Sequence, residues 1–157
     1  MTNHKWILLA EDDGNDADLI QRMLADTASP VEVVRARDGA EALDCLYRRN
    51  RFVAYDHGPP SLMLLDLNLP RVDGFEVLAQ IKTDPGLRTV PVMVFTSSSE
   101  PADMVRCYQL GANAYVVKPA GFKQLFETVQ EILRFWMNFN ESSPAMASKT
   151  AAAKIAA

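Results

Sequence analysis

Five short apolar runs, Trp6–Ala10, 31–36, Leu62–Leu65, 92–95 and Ala114–Val117, recur along the chain with longer segments between them. Each run is four to six residues long and rich in Val, Ile, Leu and Met. Runs this short and this continuous predict strands buried on both faces, the situation of a parallel sheet covered by helices. The intervening segments carry helical spacing: Leu19, Ile20, Met23 and Leu24; Ala42, Leu43, Leu46 and Tyr47; Phe75, Leu78 and Ile81; Val105, Cys107 and Tyr108. The last, with Leu125, Val129, Ile132, Leu133 and Trp136, traces one face of a long helix. Strict alternation of strand and helix predicts an α/β fold, a (βα)5 doubly wound sandwich. It has one five-stranded parallel sheet, right-handed crossovers and helices on both faces.

Punctuation agrees with this division. Asp38 precedes a helix start at Gly39, Pro85-Gly86 follows the third helix, and Gly111 stands where the fourth ends. The polar, proline-rich stretch 50–60 predicts a long loop into the third strand. A length of 157 residues suits one domain with one core, assigned to 1–140. In 141–157 the character changes: Ser142-Ser143-Pro144 stops the helix, and seven of the residues 145–157 are alanine, so a disordered tail is expected. Twenty acidic against 16 basic side chains give a net charge of -4, the wrong sign for a protein held on nucleic acid by phosphate contacts. The opening is polar and no apolar run approaches the ~18 residues of a membrane span, so a cytoplasmic protein without nucleic-acid or membrane partners is expected. Cys45 and Cys107, in apolar patterns without metal spacing, are expected as small buried core residues. His4 and His57, in a terminus and a loop, are expected to stand apart from the carboxylates at the strand ends and to have no chemical role.

In an open α/β sheet ligands bind beyond the carboxyl ends of the strands, where strand order reverses. The first run leads into Glu11-Asp12-Asp13, the third into Asp66, the fourth into Thr96-Ser97-Ser98 and the fifth into Lys118-Pro119. One rim therefore gathers several carboxylates, a hydroxyl and an ammonium. Like charges that converge raise one another's pKa, a cost ordinary loops have no reason to carry. Three oxygen-bearing side chains around a small opening suit a hard cation such as Mg2+, which leaves part of its shell to water and phosphate oxygens. Asp66 is then placed to attack a phosphorus while the cation and Lys118 neutralise the growing charge, with a hydrogen bond from Thr96.

These residues, in this order, resemble the receiver domains of two-component response regulators. The resemblance spans about residues 5–138 and rests on Glu11-Asp12-Asp13, Leu65-Asp66-Leu67-Asn68-Leu69-Pro70 with Asp73-Gly74, Phe95-Thr96-Ser97, Gly111-Ala112 and Tyr115-Val116-Val117-Lys118-Pro119. It implies the flavodoxin-like receiver fold, phosphorylation of Asp66 by a sensor histidine kinase, and an Mg2+ cofactor. Asp13 is implied as a direct metal ligand, with Asp12 acting mostly through water, Asp66 itself, and the Asn68 backbone carbonyl. Thr96 and Lys118 are implied to contact the phosphoryl group, Thr96 and Tyr115 to form the switch, and the Lys118-Pro119 bond to be cis. The long loop before strand three, Asp84-Pro85-Gly86-Leu87, Cys107-Tyr108-Gln109-Leu110-Gly111 and the ending Phe135-Trp136 are similar to the small stand-alone bacterial receivers that serve phytochrome histidine kinases. The chain departs from many receivers at Ala120-Gly121, which leaves the last helix without a side-chain cap.

The function implied is a phosphorylation switch with no catalysis beyond its own phosphorylation and dephosphorylation. It would signal as a homodimer through helix 4, strand 5 and helix 5, with Phe135, Trp136 and Phe139 as apolar anchors. Two other classes compete. A phosphatase of the haloacid-dehalogenase type also uses an aspartyl nucleophile with Mg2+, but needs a second Asp where this chain has Asn68. A phosphorylation-independent pseudo-receiver is disfavoured by the intact Asp12, Asp13, Asp66, Thr96 and Lys118 set.

Overall fold

A computed structural model describes residues 4–27 and 31–144. The strands are β1 (Trp6–Ala10), β2 (Glu32–Ala36), β3 (Leu62–Leu65), β4 (Val92–Thr96) and β5 (Ala114–Val117). The helices are α1 (Gly14–Ala25), α2 (Gly39–Tyr47), α3 (Gly74–Thr83), α4 (Pro101–Gln109) and α5 (Phe122–Leu133). All strands are parallel, in the order β2-β1-β3-β4-β5. After β1 the chain steps outward to β2, then returns across β1 to β3. The order reverses between β1 and β3, so their carboxyl ends border the crevice.

Side-chain alternation splits the core in two. Leu8, Ala10, Met63, Leu65, Val92 and Val94 face Ala42, Val77, Leu78, Ile81 and Cys107 of α2, α3 and α4. Ile7, Leu9, Leu62, Leu64, Met93 and Phe95 face Ile20, Leu24, Val129 and Ile132 of α1 and α5. Every residue of β1, β3 and β4 is buried, as the continuous apolar runs require. The edge strands β2 and β5 are only partly buried, because each has a neighbour on one side alone. Cys45 and Cys107 are buried free thiols, and burial lifts them to about 12 and about 11.

Aspartates start three of the helices. The Asp13, Asp38 and Asp73 carboxylates accept from the backbone N–H groups of Asp16 (2.9 Å), Glu41 (2.8 Å) and Glu76 (2.9 Å). Helix α5 starts at Gly121 with no side-chain cap, as Ala120-Gly121 foretells. Gly111 closes α4 at φ +101, a conformation that costs a residue with a Cβ dearly.

Three features differ from expectation. The loop after α2 contains a 3-10 turn, Asn50–Phe52, whose Phe52 is buried against β1 and α2 residues, so this loop is anchored by an aromatic. Among the described residues there is no cis peptide bond. Lys118-Pro119 is therefore trans, the form X-Pro bonds favour by about 0.5–1 kcal/mol. The last helix widens at Arg134–Phe139 into a π-helical turn, closed by Asn140 N–H donating to the Phe135 carbonyl at 2.8 Å. The widening leaves Trp136 packed on the α1/α5 layer while Phe135 and Phe139 point to solvent. The expected tail falls almost wholly on residues 145–157, which lie outside the described residues.

Two glycines let loops close around the end of β3. A Cβ on Gly39 would stand 1.8 Å from the Val72 carbonyl oxygen, and one on Gly74 would stand 2.4 Å from the Asp66 carbonyl oxygen and 2.6 Å from Leu67 Cα. These are backbone atoms, which cannot rotate away. Gly74→Ala should therefore destabilise the fold by about 1–3 kcal/mol in urea denaturation. A neutral effect would mean that the Asp66 loop has room to yield.

Candidate functional site

The crevice is built by extending three strands by one residue each. Glu11 N–H donates to the Ala36 carbonyl (3.0 Å), Asp66 N–H to the Ala10 carbonyl (3.1 Å), and Lys118 N–H to the Thr96 carbonyl (2.7 Å). The side chains that carry chemistry are thus held at the ladder's end, on rigid backbone. Lys118 reaches across from β5, its Nζ 2.6 Å from Glu11 Oε2, 2.9 Å from Asp66 Oδ2 and 3.8 Å from Asp16 Oδ2. Asn68 N–H donates to Asp66 Oδ1 at 3.3 Å. On β2, Arg35 donates to the backbone carbonyls of Glu11 and Asp12, both at 3.1 Å, and ties down the turn after β1.

Glu11 is 2% exposed and Asp66 7% exposed. Burial and a hydrogen bond with Asp66 push Glu11 up to about 7, against the opposing pull of Lys118. Burial would also raise Asp66, but hydrogen bonds from Glu11 and Lys118 outweigh it and hold that carboxyl below its ordinary value. Burial likewise opposes the Lys118 charge, yet its bonds to Glu11 and Asp66 leave it raised. Burial thus favours the neutral form of Glu11, while the hydrogen bonds to Asp66 favour its charged form.

Glu11, Asp12 and Asp66 each offer a carboxylate oxygen within 4.8 Å of the others. This trio differs from the expected Asp12, Asp13 and Asp66. Asp13 is the N-cap of α1, and its carboxylate is committed to the Asp16 N–H. Glu11, omitted from the expected ligands, is one of the two buried carboxyls. The signal was present in the sequence: an Asp immediately before a helical pattern is a capping residue. A hard, all-oxygen donor set in a concave site fits a divalent cation such as Mg2+.

Thr96 is fully buried at the end of β4. Its Oγ1 accepts from Ser98 N–H at 3.4 Å, the Ser98 hydroxyl donates to Asp103 of α4 at 2.6 Å, and the Tyr115 hydroxyl donates to the Ser98 carbonyl at 2.9 Å. Ser98 thus links the two residues expected to switch, and joins both to α4. Periodicity gave no hint of this, since a serine after a strand carries no pattern of its own. The Arg48, Arg49 and Arg51 cluster pairs with Asp56, Asp44 and Glu41 on the surface and takes no part in the site.

A (βα)5 sheet whose switch crevice holds an aspartate, an acidic pair, a buried threonine and a bridging lysine defines a receiver. Residues 7–130 match the family described as the response regulator receiver domain, and the chain belongs to that family. Response regulator Rcp1 from a Synechocystis species is 42% identical over 134 residues, covering 85% of this chain and 89% of Rcp1. The phosphorylated cyanobacterial phytochrome response regulator RcpA has a crystal structure similar at TM-score 0.83 and 43% identity, covering 88% of this chain and 98% of RcpA. The Mn2+-bound form of Rcp1 is similar at TM-score 0.82 and 39% identity, covering 88% of this chain and 99% of that one. Among the described residues no helix is long and apolar enough to cross a membrane.

The raised Glu11 sets a pH dependence for the metal-free protein. Between its ordinary value of 4.5 and about 7 the folded state binds more protons than the unfolded state. Stability must therefore fall as pH rises through that window. Asp66, held low, acts in the opposite direction only at more acidic pH. With chelator present, the melting temperature should drop between about pH 5 and pH 7.5, by an amount on the order of 2 kcal/mol in stability. Glu11→Gln should flatten the slope, and millimolar Mg2+ should restore stability at the upper end by binding the ionised carboxyls. A melting temperature that climbs across the window would place the proton elsewhere.

Proposed function

We propose that this chain is a single-domain response regulator that accepts a phosphoryl group on Asp66 from a sensor histidine kinase of the phytochrome type, in the cytoplasm. The observation that carries the reading is the Lys118 ammonium 2.9 Å from Asp66 Oδ2, inside a rim shared with Glu11 and Asp12. An Asp66 oxygen attacks the phosphorus of a phosphohistidine, the P–N bond breaks, and its electron pair returns to the imidazole. Asp12, Asp66 and the Asn68 carbonyl, with Glu11 behind them, would hold Mg2+, which would supply positive charge against the phosphoryl oxygens. Lys118 neutralises a further oxygen, and Thr96 donates a hydrogen bond to another. Beyond this transfer and hydrolysis of its own acyl phosphate the protein has no catalytic role. The phytochrome pathway is supported by the likeness to Rcp1 and RcpA.

Incubation with Mg2+ and acetyl phosphate should add one phosphoryl group by intact mass, and Asp66→Asn should remove it. Loss of Asp12 or Glu11 should slow labelling by about tenfold or more, the scale of a lost charge-assisted contact. Asp13→Ala should leave labelling in place and cost about 1 kcal/mol of stability as a lost cap. Full labelling of Asp66→Asn, or in excess chelator, would overturn the assignment.

Output through a homodimer is the second part of the reading. Val105 and Tyr108 of α4, Val117 of β5, and Phe122, Phe135 and Phe139 of α5 and its extension are all exposed. Of these, Phe135 also lines a groove with Met93, Val116, Ile132 and Trp136, rimmed by Glu127, Thr128 and Glu131. A self-complementary pairing would cover this apolar surface on both copies at once. Motion of Thr96 on phosphorylation passes through Ser98 to Tyr115 and α4, which lie on the same face. Light scattering should show a dimer strengthened by phosphorylation and weakened about tenfold or more by the Phe135→Ala, Trp136→Ala double variant. A dimer indifferent to both changes would place the interface elsewhere.

A further inference from the structure

The amino ends of the strands, about 15 Å from Asp66 along the sheet, hold a second cluster. The chain has two histidines, and the fold brings both to one carboxylate. His4 Nε2 lies 2.5 Å from Glu32 Oε2, and His57 Nε2 lies 3.9 Å from Glu32 Oε1. The imidazole rings are 4.8 Å apart. Neither histidine pairs with the crevice carboxylates; instead the register Trp6 to Glu32 sets His4 beside the start of β2, and the loop before β3 brings His57 over it.

We infer that His4, Glu32 and His57 form a binding site for a borderline divalent transition ion of the zinc class, separate from the acidic crevice. Two imidazoles and one carboxylate are the donor types such ions prefer, whereas Mg2+ prefers oxygen alone. One ligand atom from each residue already lies within 4.8 Å of the others. Donors around a tetrahedral zinc with bonds of about 2.1 Å stand about 3.4 Å apart. The remaining closure falls to exposed side chains of a terminus and a loop, which have room to turn.

The surroundings resemble the support that metal ligands need. The Tyr55 hydroxyl donates to Glu32 Oε1 at 2.5 Å, orienting the carboxylate and leaving Oε2 facing His4. The Tyr55 ring packs edge-on against His57 at 4.8 Å and against Trp6 at 5.9 Å. Trp6 Nε1 in turn donates to the Gly58 carbonyl at 3.2 Å, next to His57. The loop is thereby fastened on either side of His57. A bound ion would pin the segment before β1, the edge strand β2 and the long loop to one another, with a fourth position open to water or a partner's donor. Nothing in this depends on phosphorylation of Asp66.

The test is zinc titration by calorimetry on the full chain without a histidine tag, stripped with chelator and held in excess Mg2+. One zinc per chain should bind, and His4→Ala, His57→Ala and Glu32→Gln should each weaken it by about tenfold or more. The Asp12→Asn, Asp66→Asn double variant should keep full affinity. Co2+ should give a visible absorption band that disappears in the His4→Ala, His57→Ala double variant, whose folding is checked by circular dichroism and whose labelling by acetyl phosphate should be unchanged. No zinc uptake in excess Mg2+, uptake undiminished in the double histidine variant, or uptake lost with the acidic crevice would each overturn the inference.

Discussion

The Lys118 ammonium between Glu11 and Asp66 is the contact on which the rest of the site depends. Two carboxyls almost fully removed from water would be costly to keep together if nothing offset their repulsion. Lys118 offsets it at 2.6 and 2.9 Å, and burial, by favouring the neutral form of Glu11, eases it further. Such a buried arrangement is a poor way to gain stability, since well-packed apolar groups would do as well. Its use is chemical. It favours the ionised form of Asp66 and leaves a positive group beside it, as the proposed phosphoryl transfer requires.

That contact joins the neighbouring strands β1 and β3 to β5, which lies beyond β4 in the sheet. The strands place its members through backbone hydrogen bonds continuing the ladder, so the geometry does not rely on loop conformation. Loops then close over the strand ends where Gly39 and Gly74 permit direct backbone approach. Around Ser98 the construction is different. Single hydrogen bonds connect Thr96, Tyr115 and Asp103 there, and bonds of this kind exchange more readily than packed side chains. That arrangement suits the switch proposed for Thr96 and Tyr115, since both bond to Ser98.

The two ends of the sheet carry different ligand chemistry for a related reason. Parallel strands align all their carboxyl ends on one rim and all their amino ends on the other. Oxygen donors collect on the first, and the histidines and Glu32 meet on the second. The β5 side of the molecule carries exposed apolar side chains, which is the surface the proposed pairing would use.

Strand positions, helix positions and fold class were legible in the sequence because burial on both faces demands unbroken apolar runs, and this demand is local. Asp66, Thr96 and Lys118 were legible for the same reason, each standing one step past or at the end of a run. Which carboxylates group with Asp66 depends on where α1 begins: Asp13 caps the helix, and Glu11 and Asp12 are the ones whose oxygens gather near Asp66. Ser98 as a hub, the π-helical turn that separates Trp136 from Phe135, and the meeting of His4 with His57 were decided by tertiary structure. The Ser98–Tyr115 bond and the meeting of the histidines join segments far apart in the chain, and periodicity within one segment holds no information about the register between two.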